Sequence, residues 1–299
     1  MSSELVRYQS ADEDSSRWWD FEFRDGDIVV STRSKSGTTW VQMICALLIF
    51  QTPDLPAPLA QLSPWMDWLV EPRDRVHARL GAQRHRRLIK THTPLDGVPL
   101  DPRVTYIVVA RHPLDMAVSL YHQGDNLDRA RLRRLTGQQS VTPGSARPAL
   151  QEWLRAWINR ETDARQELDS LLGVMLHLSD AWARRVQDNV VLVHYDDLST
   201  DLDGQMRRLA NELGISVGPL DWPGLVRAAT FSRMRDRAQH LAPDPAGVLK
   251  DKQAFFRAGV SGSGRRLLEA EEYVGYLARV SQLAPTELID WLHRDRRGR

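Results

Sequence analysis

Four short apolar runs recur along the chain, each with the β-branched content of a strand covered on both faces. They are Ile28-Val29-Val30-Ser31-Thr32, Leu88-Ile89-Lys90-Thr91, Val104 to Ala110, and Val190-Val191-Leu192-Val193-His194-Tyr195. Runs this short and this apolar suit parallel strands sandwiched between helices. Between them the pattern turns helical. Thr38 to Phe50 is apolar on nearly every side, as a helix buried against a sheet is. Pro113 suits the first turn of a helix running to about His122. Leu150, Trp153, Leu154, Trp157 and Ile158 share one helical face. Leu202, Met206, Leu209 and Leu213 share another, and Gly214 sits where that helix would end. Strands alternating with helices predict an α/β fold, one domain over residues 1–299, with a central, mainly parallel sheet flanked by helices. Two segments read as loops, 123–147, which is polar and Arg-rich, and 239–263, which carries Pro243, Pro245 and Gly247. Loops of this length in α/β enzymes often cover the site.

Composition narrows the picture. The 299 residues are 42% hydrophobic, enough for a full core. Lys and Arg total 40 against 39 Asp and Glu, a net charge of +1 that argues against a nucleic-acid partner but leaves room for a local basic pocket. Cys45 is the only cysteine, so no intramolecular disulfide forms and a reducing compartment is expected. Met1 to Asp20 is polar and acidic without an apolar signal core. The longest apolar run, Val41 to Phe50, falls short of the ~20 residues a membrane span needs. A cytoplasmic protein with no transmembrane segment is the expectation.

Two motifs carry chemistry. Ser34-Lys35-Ser36-Gly37-Thr38-Thr39-Trp40 lies between a strand and a helix. A loop there aims backbone N–H groups and the positive end of the helix dipole at one spot. Gly37 permits close approach, Ser36, Thr38 and Thr39 add hydroxyls, and Lys35 adds a full charge, which together make an anion cradle. It is not a Walker A loop, because the lysine precedes the glycine and Gly-Lys-[Ser/Thr] is missing. The plainer reading is an N-cap rich in Ser and Thr. In the second motif Arg111 ends a strand and Ser119 follows two helical turns later. Ligands of open α/β sheets bind at strand ends, and these two side chains can grip a phosphate from two sides. Alone, Arg111 reads equally well as a structural ion-pair arginine.

Together the two blocks resemble the cytosolic sulfotransferase family. The resemblance implies that Lys35 to Trp40 form the loop for the 5′-phosphosulfate of the donor PAPS, and that Arg111 and Ser119 hold its 3′-phosphate. Lys90-Thr91-His92-Thr93-Pro94 resembles the Lys-Thr-His-x-Pro segment that carries the family's catalytic histidine. Phe255-Phe256-Arg257-Ala258-Gly259-Val260-Ser261-Gly262 resembles the Arg-Lys-Gly-x-x-Gly loop that closes on the 3′-phosphate, giving Arg257 and Gly259 to the donor site. Tyr195 and Phe231 match positions that contact the adenine. The matches run in family order from residue 35 to about residue 265.

The chain also departs from the family pattern. Ala258 stands where the family has lysine, Gly264 and Arg265 where it has a Trp-Lys pair, and Ala229 where a threonine contacts the adenine. Losing one charged hydrogen bond costs ~1.5–3 kcal/mol, or ~10- to 100-fold in donor affinity, unless Arg265 or Arg266 substitutes. The family's dimer motif should begin near Arg265, and Glu269, Ala270 and Val274 do not match it.

The resemblance implies in-line sulfonate transfer from PAPS to a hydroxyl of a small apolar or lipid-like acceptor (a phenol, steroid-like alcohol, polyketide or glycolipid), leaving PAP. His92 would be the general base, Lys35 would stabilise charge on the leaving phosphate oxygen, and Lys90 would do so on the sulfonate. An unperturbed histidine places the acid limb of activity near pH ~6.5. His112, His122, His177 and His194 lack metal-ligand spacing, so no metal is expected. Two other readings stand beside this one. A nucleotide kinase or other P-loop NTPase would need the absent Gly-Lys-[Ser/Thr], and a catalytically silent PAP- or PAPS-binding protein would fit Ala258. Two aromatic clusters, Trp65-Met66-Asp67-Trp68-Leu69 and Trp18, Trp19, Phe21 and Phe23, either line an acceptor pocket or belong to the core. Trp153 and Trp157 read as core.

Overall fold

The computed structural model describes residues 4–139 and 147–294. Its strands are β1 (Ile28–Ser31), β2 (Leu88–Thr91), β3 (Thr105–Ala110) and β4 (Val190–His194), all parallel in the order β2-β1-β3-β4. Only Thr105 and Leu192 among the strand residues are not fully buried, which is why the runs read as continuously apolar. Side chains alternate between the faces. Val29, Ile89, Tyr106 and Val108 join one core cluster, and Val30, Leu88, Ile107 and Val109 join the other.

Helices α1 (Thr38–Phe50) and α5 (Leu202–Glu212) cover the second of these faces. Helices α2 (Pro113–Asn126), α3 (Leu150–Asn159) and α4 (Leu171–Ala183) cover the first. Because β1 sits between β2 and β3, the chain leaves β1 on one side and later returns on the other. The carboxyl ends of these strands therefore open a crevice at the point where the strand order reverses.

Several local expectations change. Strand β4 stops at His194, whose Nδ1 accepts the Asp196 N–H (3.1 Å) and caps a short helix, Tyr195–Thr200, so Tyr195 is helical. The expected loop at 123–147 is partly helical. Helix α2 runs to Asn126, and Asp128 caps a further helix, Arg129–Leu135, through the Arg131 N–H at 2.9 Å. The rest of that expectation, 140–146, lies outside the described residues. The expected loop at 239–263 contains short helical turns, Ala238–Leu241 and Lys252–Phe255. Trp18 is buried edge-on against Phe21 with centroids 5.5 Å apart, and Phe23 joins them, so these three are core, whereas Trp19 is 52% exposed. No helix among the described residues is long and apolar enough to cross a membrane.

Candidate active site

The loop between β1 and α1 is forced into an unusual path. Lys35 has φ +62° and Gly37 has φ +108°. A side chain at Gly37 would place its Cβ 2.9 Å from the Tyr195 ring, so only glycine fits. This loop walls a cleft of about 660 Å³. Lys35, Gly37, Thr38, Thr39 and Trp40 form one side, and Arg111, Ser119, Tyr195, Phe231, Arg257 and Gly259 form the other. Of Lys35 to Trp40, Ser36 alone is outside the lining, with its N–H given to the Arg33 carbonyl at 3.3 Å.

The electrostatics of this cleft are one-sided. Lys35, Arg111 and Arg257 line it, and no carboxylate does. Arg111 donates to the carbonyls of Lys35 (3.2 Å) and Val260 (3.0 Å), and its guanidinium stacks over Tyr195 at 4.3 Å. Among the described residues Lys35 Nζ finds Gln123 Oε1 and the Phe255 carbonyl, both at 3.4 Å, and the Phe255 ring at 3.8 Å. Burial, and then the charges of Arg111, Lys90 and Arg257, bring the Lys35 pKa down to about 7. A bound anion would relieve all three cations.

The closing loop after Arg257 is tied down by Asp115. Its carboxylate accepts the N–H groups of Gly262 (2.6 Å) and Gly264 (2.8 Å) and the Ser263 hydroxyl (3.0 Å). Asp115 was missed in the sequence although it lies inside the Arg111 motif. The compensation expected for Ala258 is not found. Ala258 lines the cleft, but Arg265 stacks on Tyr273 at 4.0 Å and donates to the Leu268 carbonyl, and neither it nor Arg266 reaches the lining. No side chain fits at 264, because a Cβ there would sit 2.5 Å from the Leu114 backbone. Ala229 contributes a carbonyl instead of a side chain, accepting from Trp40 Nε1 at 2.8 Å.

A second cleft of about 840 Å³ shares Lys35, Thr38, Thr39 and Phe255 with the first. His92, Lys90, Trp65 and Trp68 line it, together with apolar Leu127, Leu132, Val248 and Leu249. Trp65 and Trp68 stack at 4.7 Å, Lys90 Nζ lies 3.3 Å from the centroid of Trp65, and Trp65 meets His92 edge-on at 4.5 Å. Of the two aromatic clusters, this is therefore the one that faces a cleft.

His92 is held from three directions. Its Nδ1–H donates to the Thr32 carbonyl, its own carbonyl accepts from Arg33, and its N–H donates to Asp67 Oδ2 at 2.9 Å. The same Asp67 oxygen accepts the hydroxyls of Thr91 (2.7 Å) and Thr93 (2.6 Å). Burial, and then the charges of Lys90 and Arg33, push the His92 pKa well below 6.5, which corrects the unperturbed value expected from sequence. Lys90 is also brought down to about 7, chiefly by burial. Glu13 and Arg33 were missed. Arg33 pairs with Glu13 (3.4 Å) and Asp169 (2.8 Å) beside His92, and the burial of Glu13 raises its pKa to about 8. Among the described residues no group of His, Cys, Asp and Glu is arranged to hold a metal ion.

The family model of the sulfotransferase domain matches residues 25–274. A glycolipid sulfotransferase of Mycobacterium tuberculosis is 39% identical over 317 residues, covering 99% of this chain and 96% of the relative. Human sulfotransferase 2B1 is 28% identical over 250 residues, covering 81% of this chain and 61% of that protein. Among solved structures, a mouse sulfotransferase complexed with PAP shares the fold with a TM-score of 0.67 at 20% identity, over 94% of this chain and 93% of that one. Retinol dehydratase in complex with androsterone and PAP does so with a TM-score of 0.65 at 18% identity, over 90% and 83%.

Proposed function

The chain belongs to the sulfotransferase family, and from that premise we propose that it transfers a sulfonate group from PAPS to a hydroxyl of a lipid-like acceptor, with His92 as general base. One observation carries the reading. The loop Lys35, Thr38 and Thr39 is a wall common to two clefts, one walled by cations and one containing a neutral, buried histidine. A group held by that loop is open to both sides, as in-line transfer requires.

The first cleft fits PAPS on its own chemistry. Lys35, Arg111 and Arg257 are cations without carboxylate partners in the lining, and Gly37 keeps clear the space a Cβ would fill. Arg111, Ser119 and Arg257 would hold the 3′-phosphate, the Lys35 to Thr39 loop the phosphosulfate, and Trp40, Tyr195 and Phe231 the adenine. When bound, PAPS supplies a sulfonate whose bond to the phosphate oxygen breaks as the acceptor oxygen bonds to sulfur, leaving PAP.

The chain's residues do the rest. His92 takes the acceptor hydroxyl proton at Nε2, since Nδ1 already carries the proton given to Thr32. Lys35 stabilises negative charge on the bridging oxygen and Lys90 on the sulfonate oxygens, with water excluded by burial. Trp65, Trp68, Leu127 and Val248 would hold the apolar part of the acceptor. The relatives named as glycolipid sulfotransferases, at 39% identity, favour a hydroxyl carried by an amphiphile.

The direct test incubates the protein with ³⁵S-labelled PAPS and a panel of glycolipids, sterols and phenols. Label in an acceptor supports the reading. PAPS binding without transfer to any acceptor makes the protein a silent binder, and phosphate transfer from ATP makes it a kinase.

A further inference from the structure

A third cavity, of about 730 Å³, borders the acceptor cleft and takes part in none of the steps above. The two meet at Asp12, Glu13, Leu120 and Asp169, which line both. A separate stretch of the cleft wall, Trp65, Trp68, Lys90 and Pro243, is shared with a recess of about 450 Å³ in which Leu59, Leu241 and Pro245 stand beside Gln42, Glu71 and Arg79. The site of His92 thus borders a polar chamber along one set of residues and a smaller recess along another.

The chemistry of the polar chamber is specific. Its acids are Asp12, Glu13, Glu167 and Asp169. Each already has a partner. Arg33 pairs with Glu13 (3.4 Å) and Asp169 (2.8 Å), Arg160 pairs with Glu167 (2.9 Å), and Gln138 donates to Asp12 (3.0 Å). Asp169 Oδ1 also takes the Ser34 N–H at 3.3 Å, and a carboxyl group with one or two donors keeps lone pairs to spare. Arg33, only 2% exposed, lines the chamber as well. The wall therefore carries acceptors that can take another hydrogen bond together with the cationic donors Arg33 and Arg160, and each of its acids has a partner. Two indoles complete it. Trp153 lies against Trp157 with centroids 6.5 Å apart, Trp157 fixed by its Nε1–H to the Asp169 carbonyl at 2.9 Å.

Acceptors and donors together, beside a flat indole, suit a neutral ring bearing many hydroxyls. The hydroxyls bridge carboxylate and guanidinium, and the C–H face lies on the aromatic surface. We infer that this chamber is a subsite for a sugar ring of the acceptor, with the acceptor's alkyl part in the Leu59 and Leu241 recess and the reacting hydroxyl at His92. The inference rests on the sulfotransferase reading and names where its acceptor's polar part lies.

The test measures binding rather than turnover. Octyl glucoside, 1-octanol and octyltrimethylammonium, which share one alkyl chain, are titrated calorimetrically into the PAP-bound protein. Octyl glucoside is expected to bind at least about tenfold more tightly than the other two, about 1.4 kcal/mol. In Trp153→Ala that ratio should fall toward one. Gln166→Ala alters an exposed chamber residue and should lower it too, should Trp153→Ala prove misfolded. Equal affinity for octyl glucoside and octanol, tighter binding of the ammonium, or ratios unchanged in both folded variants would overturn the subsite. A protein that shows the glucoside preference yet transfers no sulfonate would sink the enzymatic reading and leave the subsite standing.

Discussion

His92 donates its Nδ1–H to the carbonyl oxygen of Thr32. The bond follows from sheet register, since Ser31 of β1 lies opposite Thr91 of β2 and the next residues are Thr32 and His92. A carbonyl only accepts, so the proton is fixed on Nδ1 and Nε2 is left to receive one. The pair thus sets both the orientation and the tautomer of the proposed base.

The pH dependence follows from the displaced pKa values. His92 lies well below 6.5, so it is already neutral at pH 6.5. Lys35 and Lys90, both near about 7 without donor, lose their charge as pH rises. Because kcat/KM for PAPS reports the free enzyme, it should fall between pH 6.5 and 8.5 with no rising limb at 6.5. In kcat the alkaline limb should move up, since bound anions favour charged lysines. A profile of kcat/KM that rises through 6.5 would contradict this.

Lys35→Met should abolish most transfer yet stabilise the donor-free protein. The lysine's folded pKa, about 7, is depressed from 10.5, so its charged form is disfavoured in the fold. The penalty is complete below about pH 7 and fades as pH rises toward 10.5. Methionine removes it while keeping the stem and the same backbone strain. Thermal melts should show the variant's Tm at least about 2 °C higher at pH 6, with the gain shrinking by pH 9. A lower Tm at pH 6 would refute the account of a buried, uncompensated charge.

Asp67→Ala should strip one acceptor from three donors, the Thr91 and Thr93 hydroxyls and the His92 N–H. Leaving buried donors unpaired costs roughly 1–3 kcal/mol each. A lower Tm and a kcat reduced by at least about tenfold are expected, with PAP affinity unchanged because Asp67 does not line that cleft. Loss of PAP affinity without loss of kcat would show that Asp67 does not position the histidine.

The strands and the Lys35 to Thr39 loop were legible in the sequence because both-face burial leaves unbroken apolar runs and because glycine is obligatory at 37. Lys90 and His92 could be placed together because Lys90 to Pro94 resembles the family's Lys-Thr-His-x-Pro segment. Other features depend on contacts distant in sequence. Glu13 and Arg33 sit in segments with no period, and their pairing with each other and with Asp169 exists only after folding. The shift of His92 comes from burial and neighbours that no local pattern encodes. Local capping by His194 and Asp128 decided where Tyr195 and Arg129–Leu135 became helical against the strand and loop readings.

The most direct measurement compares wild type and His92→Ala in ³⁵S transfer from PAPS to one hydroxylated lipid acceptor, with PAP affinity measured on the same preparations. Removing a general base costs about 10²- to 10⁴-fold in rate, while the cations that would hold PAP, Lys35, Arg111 and Arg257, are untouched. The expected result is a loss of transfer of that size with PAP affinity retained. Near wild-type transfer in the variant, or loss of PAP binding together with activity, would contradict the role of His92 as the base.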